Sequence, residues 1–569
     1  QANLRSVAKY AIADITIDFK DGTDIYWARS QVAERLSNVA GDLPATVEGG
    51  MAPISTPLSD MYMFTLEGPQ DLTEKRRVLD WIIRPALRTV PGVADVNALG
   101  GFAETFEVRP DNGALAAAGL SVEDLRAAIE ASNRNDGAGR LKIGDEALIV
   151  RSVGAIRTLD DLASVVVRSQ DGGIVRVGDV AAVRAGHLTR YGAVTKDGKG
   201  EAVEGLVIAL RGADASKVVD GVKARLAEIQ PSLPRGMRVD VFYDRSDLIE
   251  RAVGTVEKAL IEATILVVIL LLLFLGDVRA SVIVALALPM AALLTFIFMR
   301  AIGLTANLMS LGGLAIAVGI LVDGAVVVVE NVVERLSDPR HRRMVKLHAV
   351  FVAASEVAMP VASGLLIIAL VFLPLLTLEG LEGKLFAPVA LTIVLALLSA
   401  LVLSLTLVPV LAYFILKQQD GHREPRLMRF LAPRHARALD WAFAHRRTVA
   451  GISAIGLLLA GVAYTVTGKT FLPTMDEGST IVQLTKLPSI NIEHSAAGDM
   501  KVQRAILEQV PEVTSVIARV GSDELGLDPM SPNETDSFLK LKPRSEWRLA
   551  DKDWLNDRIR AVLADFPGI

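Results

Sequence analysis

The stretch Asn307-LMSLGGLAIAVGILVDGAVVVVE-Asn331 decides the fold. Asp323 and Glu330 are its only charged residues, and most of its other side chains are small or apolar. A run of about 20 apolar residues is long enough to cross the hydrocarbon core of a bilayer. A carboxylate at that depth costs about 2.5–3.5 kcal/mol to insert, and such residues often mark proton pathways inside helix bundles. We therefore predict a transmembrane helix that carries a functional carboxylate.

The two carboxylates are predicted to act together as a proton relay. Asp323 and Glu330 are seven residues apart, which is about two helical turns, so they share a helix face. Asp323 is the predicted protonation switch. The alternatives are that Asp323 only pairs with a Lys or Arg of another helix, and that Glu330 is an ordinary interface residue. Close approach of neighbouring helices is predicted at four glycines, namely Gly312, Gly313, Gly319 and Gly324.

Further apolar runs surround this helix and predict six membrane spans. They are Ala259–Gly276, Ala280–Met299, Ala301–Val329, Val357–Leu378, Leu385–Leu416 and Thr448–Gly468. The loops 330–348 and 417–447 are rich in Lys and Arg, which predicts that both are cytoplasmic. Trp441 and Phe443 predict that 417–447 forms an amphipathic helix on the inner leaflet. The polar segments 1–256 and 469–569 then lie outside, and we expect a missing transmembrane helix before residue 1.

Composition excludes several classes of protein. The 569 residues include no cysteine, which excludes disulfides, thiolate zinc sites, iron–sulfur clusters and a cysteine nucleophile. A net charge of −5 gives no electrostatic footprint for nucleic acid, so no nucleic-acid partner is expected. There is no Gly-x-Ser-x-Gly, His-Glu-x-x-His or Walker A motif, so no enzyme is expected. Energy must then come from an ion gradient or from a partner.

The polar segments alternate between strand and helix patterns. Met61–Leu66, Val93–Ala98 and Val239–Tyr243 are predicted strands, while Leu72–Val90, Val122–Ser132 and Ala215–Ile229 are predicted helices. This alternation predicts split βαβ units, and hence an α+β membrane protein whose transmembrane helices form a bundle. The predicted divisions are 1–58, 59–103 with 195–256, 104–194, 257–416, 417–447, 448–468 and 469–569. A weak internal repeat relates the strand and helix after Ile15 to those after Ile481.

The carboxylate helix also carries a family resemblance. Leu311–Asn331 resembles the fourth transmembrane helix of the resistance–nodulation–division (RND) efflux transporters, and Phe471–Gly478 resembles the entry into their second periplasmic half. Asp323-Gly324 stands where drug exporters usually carry two aspartates, which resembles the heavy-metal efflux branch. The stretches 527–536 and 541–547 resemble the same branch. Some divalent-metal exporters carry a second aspartate where this chain has Ala317.

The resemblance implies a complete machine. We expect a homotrimeric proton/cation antiporter of the bacterial inner membrane, with periplasmic porter and docking domains built from ferredoxin-like units. It would work with a periplasmic adaptor (membrane fusion protein) and an outer-membrane channel. No cofactor is implied, since the divalent metal ion is cargo and the proton gradient is the energy source.

The metal ligands are predicted from the residue types that remain. Only His187 and His494 lie outside the predicted cytoplasmic loops, so a site in this chain must use carboxylates or Met. In the copper and silver exporters of the branch that this chain resembles, a Met stands at the position of Glu534. The carboxylate at this position therefore favours zinc, cobalt, cadmium or nickel as the cargo here. The predicted ligands are Asp528, Glu534, Asp536 and, less specifically, Asp60. The alternatives are a solvated acidic loop, copper or silver efflux, an RND drug exporter, and a non-export relative.

Overall fold

The computed structural model describes residues 2–9, 12–20, 22–44, 47, 49–56, 59–170, 173–274, 276–338, 344–417, 426–468, 478–523 and 528–569. It divides into two compact units, residues 1–245 with 476–569 and residues 246–475. The first unit contains the β-sheets and the second is helical, which confirms the prediction of a mixed α and β protein with apolar helices. The predicted motif residues 471–477 and Leu527, and the basic loop residues Arg340, Arg342, Arg343 and Arg423, lie outside the described residues.

The strands all belong to the first unit. In the described chain they are β1 (Asn3–Lys9), β2 (Ile12–Asp18), β3 (Asp60–Glu67), β4 (Val93–Gly100), β5 (Glu104–Pro110), β6 (Asn135–Ile143), β7 (Glu146–Val153), β8 (Val166–Gln170), β9 (Gly173–Arg176), β10 (Ala181–His187), β11 (Gly192–Lys196), β12 (Gly200–Ala209), β13 (Arg238–Asp244), β14 (Thr480–Thr485), β15 (Val513–Gly521) and β16 (Glu534–Leu541).

The helices belong to both units. Those of the first unit are α1 (Ile25–Val39), α2 (Leu72–Val78), α3 (Arg84–Leu87), α4 (Asn112–Ala118), α5 (Val122–Ser132), α6 (Leu159–Ala163), α7 (Val177–Val180), α8 (Ala215–Ile229), α17 (Ile492–Gln509) and α18 (Lys552–Leu563). Those of the second are α9 (Arg245–Phe274), α10 (Val278–Ala301), α11 (Leu308–Ser337), α12 (Lys346–Phe372), α13 (Gly380–Leu405), α14 (Leu407–Ile415), α15 (Arg426–Ala444) and α16 (Arg446–Val466).

One eight-stranded antiparallel sheet organises the first unit. Its order is β13-β3-β12-β11-β15-β16-β14, with β4 also paired to β12. The chain segment β3-α2-α3-β4 and the segment β12-α8-β13 interleave, so that their strands lie in the order β13-β3-β12-β4. The later segment β14-α17-β15-β16-α18 places β16 between β14 and β15 in the same manner. Strand β11 joins the two groups, because Val194 pairs with Ala202 of β12 and with Arg519 of β15.

Helices cover one face of this sheet and bury its apolar residues. Phe64 and Leu66 of β3 pack with Leu79 and Val219 of the helical side, and all four are almost fully buried. A second cluster joins β14, β15, β16, α17 and α18. Burying one such side chain contributes about 1.5–3 kcal/mol, so the sheet is held mainly from this side. The strand period of two sends the alternate residues to the other face.

Several predicted elements are confirmed and others differ. Helices α5 and α8 have the predicted bounds, each beginning after a capping side chain, Ser121 and Asp214 respectively. The predicted helix Leu72–Val90 is wrong in its continuity and its end. It contains a π-helical turn at Leu79–Ile83 and ends at Leu87. The hairpin β6–β7, exposed along almost its whole length, had no separate prediction for its first strand.

The second unit contains the membrane helices. Five described helices are long and apolar enough to cross a membrane, and each overlaps one of the six predicted spans. The predicted span Ala259–Gly276 falls in α9, which is not one of these five helices. Its last 18 residues include three charged residues, Glu257, Lys258 and Glu262. The span predicted from Ala301 to Val329 is also displaced, since Asn307 caps a helix that runs from Leu308 to Ser337. Glu330 therefore lies within α11 and not at its end.

Candidate functional site

Helix α11 is buried on one side by the rest of its unit. Ala317, Val328 and Val332 have no exposed surface and pack in the core of the helical unit. A Cβ at Gly313 would stand 2.7 Å from the carbonyl oxygen of Val389, and one at Gly324 would stand 3.0 Å from the hydroxyl of Ser404. The predicted close approach is confirmed at these two glycines, because α13 packs directly over them. Ala317 lies on this packed side, so an aspartate at that position would not share a face with Asp323.

The predicted relay carboxylates lie on the other side of α11. Asp323 and Glu330 are both exposed and lie on one face with Ile316 and Val327, which are 56% and 41% exposed. Gly312 and Gly319 belong to the same face, and a Cβ on either would meet no described atom within 4 Å. The prediction of close helix approach at these two glycines has no counterpart within the described residues. Neither carboxylate forms an ion pair within them, so the relay and the ion-pair interpretation both stay predictions.

The end of α11 beyond the carboxylates is fastened to α12. The Asn331 side-chain amide donates to the carbonyl of Ala353 at 2.7 Å. Arg335 forms an ion pair with Glu356 at 2.5 Å. These contacts fix the rotation of α11 about its axis, and with it the direction in which its uncovered face points.

The predicted metal ligands Glu534 and Asp536 lie on a strand and not in an acidic loop. Both belong to β16, on the face of the sheet opposite the buried Thr535. Lys9 Nζ lies 2.8 Å from the Glu534 carboxylate, which also accepts a hydrogen bond of 2.8 Å from the Ser531 backbone amide. These two donors lower the pKa of Glu534, so its carboxylate is charged at neutral pH.

Asp60 is partly buried and Asp528 is exposed, and the pKa of each is raised. Burial raises the pKa of Asp528, and the charges of Asp536 and Glu534 raise it further, against Arg519 and Lys9. Burial likewise raises the pKa of Asp60, and the charge of Asp528 contributes to the same shift. The four predicted ligands are thus near enough for their charges to interact through one region of the first unit. Their grouping follows from β3 and β16 belonging to the same sheet.

Asp536 has an unusual position within this group. It pairs across the sheet with Gln483 of β14 and Arg519 of β15. Its Oδ1 is buried and has no hydrogen-bond partner among the described residues. Buried polar atoms are nearly always bonded, and an orphaned one is often explained by a water or an ion. No group of three or more His, Asp or Glu side chains is close enough to hold a metal ion within the described ranges, so the ligand set stays a prediction.

Two residues beside the predicted ligands were not predicted from the sequence. Arg519 and Glu204 form a buried ion pair, in which Glu204 has no exposed surface. The Arg519 guanidinium also lies 4.6 Å from the centre of the Phe538 ring, and its Nη2 lies 3.0 Å from the sulfur of Met63. A single charge within an apolar strand pattern, as in the segments 513–521 and 202–209, is the signal that was available for both.

The chain is similar to known proteins over almost its whole length. The profile described as the AcrB/AcrD/AcrF family matches residues 1–569. This chain belongs to that family. The cobalt-zinc-cadmium resistance protein CzcA of Cupriavidus metallidurans is 36% identical over 559 residues, covering 95% of this chain and 52% of its own length. The nickel-cobalt-cadmium resistance protein NccA of Alcaligenes xylosoxydans xylosoxydans is 36% identical over 604 residues, covering 99% and 56%.

Structural comparison agrees with the sequence matches. A crystal structure of a heavy metal efflux pump matches with a TM-score of 0.83 and 33% identity, covering 97% of this chain and 53% of that chain. The predicted resemblance to the heavy-metal branch of the RND efflux transporters is confirmed, and the chain is a membrane protein. The chain spans about half the length of the curated relatives it matches.

Proposed function

We propose that the full-length protein is a proton-driven exporter of divalent heavy-metal cations such as zinc, cobalt, cadmium or nickel. The buried, unbonded Oδ1 of Asp536 carries this proposal, because it is a free acceptor beside two further carboxylates, Asp528 and Glu534. Carboxylate oxygens suit zinc-like cations, whereas soft thioethers would select copper or silver. The metals named for CzcA and NccA are of the zinc-like kind.

The chain contributes part of the coordination sphere. Glu534 is charged and partly exposed, so the bond from Lys9 must loosen if its carboxylate is to bind a cation. Asp536 has a buried Oδ1, and Asp528 is exposed. We propose Asp528, Glu534 and Asp536 as cation ligands, with Asp60 contributing negative charge beside them, and with further ligands supplied by other parts of the full-length protein.

The energy source in this proposal is the proton gradient. Asp323 takes up and releases the proton, and Glu330, on the same face of α11, passes it along the helix. Moving one charge through the membrane field supplies about 2.3 kcal/mol per 100 mV. Each unit of pH difference adds about 1.4 kcal/mol. The uncovered face of α11 is where a partner for Asp323 would have to approach.

Chain connectivity supports six crossings. Strand β11 lies before α9 and pairs with β15, which lies after α16. Residues on both ends of the helical unit therefore belong to one sheet, which lies on one side of the membrane, and the number of crossings between them is even. Helices α10, α11, α12, α16 and the pair α13–α14 supply five. We propose that α9 supplies the sixth despite its three charged residues, and that the loops before α12 and around α15 are cytoplasmic.

The remaining features of the proposal rest on family membership and on topology. Interleaved βαβ segments with the strand order β13-β3-β12-β4 support ferredoxin-like porter units. We further propose a homotrimer in the bacterial inner membrane that acts with a periplasmic adaptor and an outer-membrane channel.

A panel of metal and drug tolerances tests the cation site. The full-length protein and its Glu534→Ala/Asp536→Ala variant are expressed at matched levels in a strain that lacks its own exporters. Glu508→Ala/Glu546→Ala is the matched control, because it removes two exposed carboxylates from the same unit. We expect the site variant to lose tolerance to zinc, cobalt, cadmium or nickel, and the control to keep it. Protection against copper or silver alone, or against hydrophobic drugs, would contradict the proposal.

A further inference from the structure

Arg519 faces a predicted cation ligand but bonds elsewhere. On β15, Arg519 stands directly opposite Asp536 of β16. Side chains opposite each other in antiparallel strands point to the same face, with Cβ atoms about 4.5–5.5 Å apart. An arginine and an aspartate at that spacing are suited to a direct ion pair. The Asp536 Oδ1 nevertheless has no hydrogen-bond partner within the described residues.

Glu204 holds the guanidinium instead. Arg519 Nε donates to Glu204 Oε2 at 3.0 Å, and Arg519 Nη2 donates to Glu204 Oε1. Glu204 lies on β12, and β11 separates that strand from β15. The guanidinium therefore extends across one strand to reach β12. Two parallel bonds between a guanidinium and a carboxylate set a fixed geometry as well as a strong interaction.

The surroundings keep Arg519 charged in that position. Burial opposes the charged form, yet the carboxylates of Glu204, Asp60 and Asp523 raise the pKa of Arg519. The guanidinium also contacts the Phe538 ring and the Met63 sulfur. A permanently charged cation thus stands beside the predicted ligands without neutralising Asp536.

We propose that Glu204 is a positioning residue that keeps Arg519 away from Asp536 and so leaves the Asp536 carboxylate free for the exported cation. This inference rests on the proposed function of the carboxylate site. Without the Glu204 charge, Arg519 is free to turn to another carboxylate, and Asp536 stands directly opposite it in the strand register. A guanidinium on Asp536 would then compete with the metal ion as an internal cation.

Zn²⁺ binding to the purified full-length protein tests this role. The dissociation constant is measured by competition with a chromophoric chelator for the wild type, Glu204→Gln, Glu204→Gln/Arg519→Met and Asp536→Asn. We expect Glu204→Gln to weaken Zn²⁺ binding about tenfold or more. We expect Glu204→Gln/Arg519→Met to bind within about threefold of the wild type, because the competing guanidinium is gone. A purely structural ion pair would not give this rescue, since the second substitution removes another of its contacts.

The double variant also keeps the test valid if Glu204→Gln fails to fold. It leaves no unpaired buried charge, and removing both partners of a buried pair is far less destabilising than removing one. Binding by the folded double variant more than about tenfold weaker than the wild type would overturn the proposal, as would unchanged binding by Glu204→Gln. If Asp536→Asn binds Zn²⁺ as the wild type does, the proposed cation site itself is wrong. If Asp536→Asn weakens binding but Glu204→Gln does not, only the role of Glu204 is wrong.

Discussion

Lys486 Nζ lies 2.6 Å from the Asp499 carboxylate, and both side chains are buried on the helical side of the sheet. Lys486 also donates to the hydroxyl of Thr535 at 2.7 Å, and Thr535 in turn donates to Asp499 at 2.9 Å. Thr535 stands between the predicted ligands Glu534 and Asp536 on β16. The network therefore holds β16 in place from the helical side of the sheet, while the predicted ligands lie on the opposite face.

The first prediction concerns this buried pair. Lys486→Met leaves the Asp499 charge buried without its cation, which destabilises a protein by about 3–5 kcal/mol. Lys486→Met/Asp499→Leu removes both charges and should recover most of that loss. Thermal unfolding of the detergent-solubilised full-length protein measures both. Equal destabilisation by the single and double variants would show that the pair is not the source of the effect.

A second prediction concerns acid stability. Arg548 donates to both oxygens of Glu512, at 2.6 and 2.7 Å, and these bonds lower the Glu512 pKa from 4.5 to about 2. A carboxyl whose pKa is lower in the folded state stabilises the fold above its unfolded pKa of 4.5, and this contribution is lost as the pH falls toward about 2. Because Arg548 is 46% exposed, solvent screening reduces the contribution to about 1–2 kcal/mol.

Glu512→Gln measures this contribution. The difference in unfolding temperature between the wild type and the variant should be largest at pH 6 and above, and should shrink between pH 4.5 and 3. A difference that stays constant, or that grows with acid, would exclude the ion pair as its cause.

The third prediction uses two adjacent glycines of α11. A Cβ at Gly313 would stand 2.7 Å from the Val389 carbonyl oxygen, whereas one at Gly312 meets no described atom within 4 Å. Gly313→Ala should force α11 and α13 apart and cost about 1–3 kcal/mol. Gly312→Ala is the matched control and should cost less than Gly313→Ala, because no described atom lies within 4 Å of its Cβ. The reverse ranking would mean that the two faces of α11 are wrongly assigned.

A fourth prediction tests the sidedness of the membrane helices. The chain contains no cysteine, so single cysteines introduced into a full-length protein that has no other cysteine report accessibility directly. Ala436→Cys lies on the face of α15 that carries Arg429 and Asp440, and Lys142→Cys lies on the exposed hairpin β6–β7. An impermeant thiol reagent should label Lys142→Cys in intact cells with a permeabilised outer membrane, and should label Ala436→Cys only after lysis. Labelling of Ala436→Cys alone in intact cells would reject the orientation.

Local patterns were sufficient to predict much of the fold. Helices α5 and α8 follow from amphipathic spacing after a capping side chain, and β3 and β4 follow from short, mainly apolar runs between turns. The membrane helices follow from apolar length, although the start of α11 was misplaced by seven residues because the Asn307 cap was not used. The strand β16 was not predicted, and an acidic loop was the alternative for Glu534 and Asp536, because β16 alternates acidic residues with Thr and Ser and its burial on one face depends on α17.

The candidate site depended more on pairing between distant segments. Arg519 and Glu204 are 315 residues apart, and β12 is separated from β15 by a strand, so no local pattern brings them together. The same is true of Lys9 and Glu534, which are 525 residues apart. The candidate carboxylates could be predicted from the sequence. The order of strands in the sheet determines which basic side chains form ion pairs with these carboxylates and which do not.

Metal-coupled proton movement through Asp323 tests the central claim most directly. The full-length protein is reconstituted into liposomes with a pH-sensitive dye inside, and Zn²⁺ is added in the presence and absence of a pH gradient. We predict Zn²⁺-dependent proton flux for the wild type and for Glu334→Gln, an exposed carboxylate further along α11 that serves as the matched control. For Asp323→Asn we predict flux no greater than that of protein-free liposomes, with trimer assembly intact. Zn²⁺-driven proton flux retained by Asp323→Asn would contradict the account.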